Sequence, residues 1–220
     1  MAKIGVVLSG CGVFDGAEIH EAVLTLYFLQ KAGAEVLIMA PNVEQMHVVN
    51  HLKGEPAEGE TRNVLVESAR IARGDIKDMA DVTAADFDGL CFPGGFGAAK
   101  NLTTFAVDGP DCQINPDVLR LVKETLQAKK PLAAICIAPV IVAKALEGTG
   151  IKSAITIGTE AAVAAGINKL GAEHINCPVK EYVVDGENKI VTTPAYMLGQ
   201  NIVEVAEGIE KTCRELLKMV

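Results

Sequence analysis

The chain has 220 residues, half of them hydrophobic, and carries 28 acidic against 20 basic side chains, for a net charge of −8. That length suits one domain with a sizeable core. The acidity and the absence of a basic run argue against a nucleic-acid partner. No stretch approaches the ~20 apolar residues that span a bilayer.

The chain opens on a strand pattern, Lys3 to Leu8, too short and wrongly flanked for a signal peptide. Six cysteines (Cys11, Cys91, Cys112, Cys136, Cys177 and Cys213) are scattered without a CxxC pair. Neither a zinc knuckle nor a disulfide framework is suggested, and no metal is expected. These features point to a soluble, cytoplasmic protein with reduced thiols.

A glycine-rich loop, Ser9 to Gly16, follows the first strand, and Ala17 to Lys31 reads as a helix ended by Gly33. Ala34 to Ala40 is a second strand, so the opening predicts a parallel sheet with helices on its faces. The loop is not a dinucleotide fingerprint. Its third glycine, Gly16, comes one place late for GxGxxG, and no acidic residue closes the second strand. The segment from 42 to 81 is more polar, with a helix over Thr61 to Ala72, and reads as an elaboration within one domain spanning 1–220. His47 and His51 stand four apart, but no nearby acid completes a ligand set.

Phe87 to Phe92 is a strand ending in Pro93-Gly94-Gly95. A helix over Val118 to Lys129 precedes the strand Leu132 to Ile135, and another helix, Ala138 to Leu146, follows Cys136. The remainder reads as a strand (Ala154 to Ile157), a helix (Glu160 to Leu170), a hairpin over Tyr182 to Thr192 turning at Asp185-Gly186, and a long amphipathic helix from Leu198 to Met219. Asn101-Leu-Thr103 is a glycosylation sequon, idle in an intracellular chain.

Chemistry concentrates at Cys136. A cysteine between a buried strand and a helix sits above the carboxyl edge of a parallel sheet. The positive end of the helix would lower its pKa. Free cysteines are also among the most buried residue types, so on this segment alone a packing role is the favoured reading. Gly94, Gly95 and the N–H after Cys136 are candidate oxyanion donors, or a plain turn. Glu18 and Glu21 begin the first helix, where acids complement the dipole. One of them could face the thiol and share a proton with it, and spacing does not choose between them. Cys11, Asp15, His20 and Asn101 are candidate pocket-lining residues.

Gly16-Ala-Glu-Ile-His-Glu21, Phe92-Pro-Gly-Gly95 and Ala134-Ile-Cys136-Ile-Ala-Pro139 together resemble the ThiJ/PfpI superfamily, related to class I glutamine amidotransferase domains. Leu8 to Ala22, Arg62 to Arg70, Pro93 to Leu102 and Ile190 to Met197 look more specifically like its ElbB/ES1 branch. Bacterial members of that branch are called enhancing lycopene biosynthesis protein or isoprenoid biosynthesis glyoxalase. The resemblance implies a flavodoxin-like three-layer α/β sandwich, usually dimeric. Cys136 would be the nucleophile on its elbow and Glu21 the protonated glutamate. Gly94, Gly95 and the Ile137 N–H would donate to an oxyanion. Where peptidase-like branches place a histidine after the cysteine, this chain has Ile137, so a Cys-His dyad is not expected.

The resemblance implies a cofactor-free glyoxalase acting on small 2-oxoaldehydes, glyoxal to glycolate, with related removal of aldehyde adducts and a link to isoprenoid metabolism. A redox-sensing role through oxidation of Cys136 is the first alternative. A hydrolase drawing a base from His20 is the second.

Overall fold

The computed structural model describes residues 1–220. Along the chain, β1 (Lys3–Val7) leads through the glycine-rich loop to α1 (Ile19–Lys31) and β2 (Glu35–Ala40). A small hairpin of β3 (Val49–Asn50) and β4 (Glu55–Pro56) precedes α2 (Val64–Ala72) and β5 (Lys77–Asp78). Next come β6 (Gly89–Phe92), the one-turn helix α3 (Phe105–Asp108), α4 (Pro116–Gln127) and β7 (Leu132–Ile135). Then follow α5 (Pro139–Leu146), β8 (Ala154–Ile155), α6 (Ala161–Lys169) and β9 (Glu173–His174). The hairpin of β10 (Val183–Asp185) and β11 (Ile190–Thr193) leads to the last helix, α7 (Ile202–Met219).

Seven strands form the central sheet in the order β10-β11-β7-β6-β1-β2-β5. All pair in parallel except β10, which runs antiparallel to β11. This is the flavodoxin-like, class I amidotransferase-like sandwich expected from the sequence. The strands are apolar on both faces, as a sheet covered on both sides requires. Ile4, Val6, Cys91, Ala133 and Ile135 face one layer, with α1, α2 and α7. Val7, Leu90, Phe92, Leu132 and Ala134 face the other, with α4, α5 and α6. Gly5 keeps the second face flat, because a Cβ there would meet Met39, Leu90 and Phe87 at about 3 Å.

Several boundaries differ from the sequence reading, each for a local reason. Helix α1 starts two residues late because Glu18 caps it, accepting from the Glu21 N–H at 2.7 Å, while its own N–H bonds Gly94. Helix α7 starts at Ile202 because Asn201 caps it, accepting from Val203 and Glu204 at 3.1 Å. Asp185 pairs with Ile190, so the last hairpin turns over Gly186–Lys189, later than expected, with Asp185 holding Asn188. The Ala154 strand leaves the main sheet and pairs with β9. Within 42–81, α2 packs against β2, β5 joins the central sheet, and β3–β4 form a separate two-stranded sheet.

Candidate active site

The central strands β1, β6 and β7 end at one edge of the sheet, and their following loops meet there. Cys136 is the residue after β7. Its N–H still bonds Thr193 O at 2.9 Å, so it remains tied to the sheet. Its φ is +63°, a left-handed conformation that costs a non-glycine residue roughly 1–2 kcal/mol. This strained turn swings the side chain away from the strand's alternation and aims it at the β6 loop. Helix α5 begins directly afterwards with Pro139 in its first turn.

Glu21 reaches the same point from α1 and is fully buried. Its Oε2 accepts from the Gly94 N–H and its Oε1 from the Tyr196 N–H, both at 3.1 Å. A Cβ on Gly94 would lie 2.5 Å from both the Cys136 Cβ and Glu21 Oε2, so only glycine lets the acid and the thiol meet there. Glu18, the alternative acid, is occupied in capping α1. The Gly94 N–H is committed to Glu21, which corrects its expected role as an oxyanion donor: it orients the acid. The N–H groups of Gly95 and Ile137 face the Cys136 sulfur.

Burial pushes the Glu21 carboxyl up to about 8, with the Tyr196 N–H opposing the shift. Burial also pushes the Cys136 thiol well above its ordinary value, with Glu21 adding to the rise and the Gly95 and Ile137 N–H groups opposing it. The lowered thiol pKa expected from the helix end is therefore corrected. Taking the sulfur out of water disfavours the thiolate, and the neighbouring Glu21 adds to this. At neutral pH the pair rests as a thiol beside a carboxylic acid.

A cavity of about 550 Å³ opens onto Cys136, and 12 of its 18 lining residues are hydrophobic. Gly95, Ile137, Glu18 and Tyr196 also line it, and no histidine does. His20 stands one step back, with its Nδ1 2.8 Å from the Tyr196 hydroxyl. Cys11, Asp15 and Asn101 do not line the cavity. Asp15 is buried and accepts from the Val49 N–H at 2.7 Å. Asn101 donates to the carbonyls of Ser9 and Asp15 at 2.9 Å, fastening the glycine-rich loop. Cys11 is half-buried beside Glu67 and Arg70, and burial raises its pKa. His51 accepts from the Phe14 N–H at 3.2 Å, which fixes it as loop packing. Tyr196 is the residue the sequence reading left without a role. Its signal was its place just past the end of β11, at the edge where the other loops converge.

The model of the DJ-1/PfpI family matches residues 11–197. The human glutamine amidotransferase-like class 1 domain-containing protein 3, mitochondrial, is 52% identical over 99% of this chain and 83% of its own length. The crystal structure of an isoprenoid biosynthesis protein with amidotransferase-like domain from Ehrlichia chaffeensis superposes with a TM-score of 0.93 at 38% identity, covering 100% of this chain and 99% of that one. Glyoxalase III from Candida albicans shares the fold, with a TM-score of 0.65 at 16% identity over 99% and 97% of the two chains. The mitochondrial name of the human relative overturns the cytoplasmic expectation, which rested on the lack of a signal-peptide pattern and of a spanning stretch and on the scattered cysteines. The elbow cysteine, the buried glutamate from the first helix and the match along most of the sequence agree: this chain belongs to the DJ-1/PfpI family.

Proposed function

We propose that the protein is a cofactor-independent glyoxalase, using Cys136 as nucleophile and Glu21 as proton carrier. The observation that carries this reading is the fully buried acid held against an elbow thiol in a cavity that no histidine lines. A Cys-His hydrolase needs a base beside the sulfur, and His20 contacts Tyr196 instead. A thiol that burial pushes upward is also a poor constitutive peroxide sensor, because the thiolate is the reactive form.

The chemistry starts from the form in which Glu21 has released its proton to solvent and Cys136 is still a thiol. The Cys136 sulfur bonds the aldehyde carbon of a 2-oxoaldehyde, and the thiol proton ends on the aldehyde oxygen, passed through Glu21. The Gly95 and Ile137 N–H groups stabilise charge on that oxygen. Glu21 as carboxylate then takes the C–H proton of the hemithioacetal, giving an enediolate, and returns it to the adjacent carbon, while the hydroxyl proton moves to the neighbouring oxygen. The product is a 2-hydroxyacyl thioester. Water cleaves its C–S bond, releasing the 2-hydroxy acid and restoring the thiol. One base serving adjacent carbons suffices. Tyr196, its pKa raised by burial, keeps its hydroxyl proton at the cavity wall beside His20.

Glyoxal is the first substrate to test, with glycolate as the product measured. In Glu21→Gln, which can neither relay the thiol proton nor remove the carbon proton, glycolate formation should fall by at least about 10²-fold. The reading fails if the wild-type protein converts no 2-oxoaldehyde.

A further inference from the structure

The cavity over Cys136 is far larger and more apolar than glyoxal requires. From the thiol it extends along walls built by Phe96, Phe105, Pro110, Val163 and Met197. These residues come from the β6 loop, the α3 region, α6 and the segment after β11, so four separate parts of the chain build one apolar chamber. Its charged lining is confined to Glu18, which caps α1, and Lys169 at the end of α6. The polar groups that could hold a carbonyl gather at Cys136: its sulfur and the Gly95 and Ile137 N–H groups that face it. Such a division, a few convergent polar groups at the foot of an apolar chamber, is how a pocket reads a small reactive head and a hydrophobic body.

We infer that the physiological substrate is an aldehyde or 2-oxoaldehyde bearing a bulky apolar arm, aryl or branched alkyl, with its reactive carbonyl at Cys136 and its arm in the chamber. The inference rests on the proposed chemistry for the head group and goes beyond it for the arm. Glyoxal would fill a small part of the cavity and leave the walls wet. An apolar arm displaces that water and buries its own surface, a gain proportional to the area covered.

Two measurements separate the arm from the chemistry. The first needs no turnover: wild-type Cys136 is alkylated by iodoacetamide and by N-phenyliodoacetamide, each rate divided by the same reagent's rate with glutathione. In both reactions a carbon–sulfur bond forms, iodide leaves and the thiol proton passes to solvent. The phenyl reagent should be favoured by about tenfold or more, the order expected for burying one ring. Val163→Trp, which fills the chamber, should bring the ratio toward one. Equal normalised rates in the wild type overturn the inference, whatever glyoxal does. The second measurement compares kcat/KM for phenylglyoxal and methylglyoxal, with the same direction and size expected. Phenyl selectivity in alkylation without turnover of either aldehyde would uphold the apolar-arm site and defeat the glyoxalase chemistry.

Discussion

Glu21 is the residue whose environment makes the sharpest predictions. Its carboxyl titrates near 4.5 in an unfolded chain and at about 8 in the fold. Between these values the folded state holds a proton that the unfolded state has lost. Stability should therefore fall as pH rises from about 4.5 to about 8, by up to roughly 1.4 kcal/mol per pH unit from this group, and then level off. Glu21→Gln removes that slope. Urea unfolding at pH 5, 7 and 9 checks this, and equal slopes in both proteins would contradict the assignment. The same titration governs catalysis, because carbon-proton removal needs the carboxylate. Wild-type kcat/KM should rise with pH and reach a plateau above about 8, and Glu21→Gln should lose about 10²- to 10⁴-fold at the plateau. Tyr196→Phe keeps the backbone N–H that holds Glu21 and removes only the hydroxyl. It should lower kcat/KM without moving the pH midpoint, and a shifted midpoint would place the hydroxyl in the Glu21 titration itself.

At the scale of elements, the site is a junction of β6, β7 and α1, and Gly94 is its closest approach. Gly94→Ala puts a methyl group 2.5 Å from the Cys136 Cβ and Glu21 Oε2 and 2.9 Å from Ile135 O. The expected loss is about 1–3 kcal/mol of stability, read by thermal unfolding, together with most of the turnover. The strands and the elbow were legible in the sequence because runs such as Leu132–Ile135 are apolar on both faces and end where the helical pattern begins. Helix starts were displaced where a side chain, Glu18 or Asn201, captured backbone N–H groups, a choice that periodicity does not encode. The two-residue edge strand β5 carries too little pattern to be seen. The role of Gly94 was misread because which acceptor its N–H meets depends on where α1 packs. The direction of the Cys136 pKa was misread because depth of burial is a tertiary property.

The molecule is built on a central seven-stranded sheet between two apolar layers, and the layer with α1 and α7 carries the reactive pair. Ile209 of α7 is fully buried in that layer. Ile209→Ala should cost about 2–5 kcal/mol in urea unfolding, and a change below about 1 kcal/mol would mean α7 is not the cover described. The cavity wall, by contrast, is assembled from residues between 13 and 197, and no single motif announces it. The central claim, that Cys136 forms the bond to the aldehyde, is tested most directly by the initial rate of glycolate formation from glyoxal at pH 8 in wild type and Cys136→Ser. The account predicts a loss of at least about 10³-fold in the variant, the scale at which removing a nucleophile acts. A Cys136→Ser protein that turns over glyoxal at the wild-type rate would contradict it.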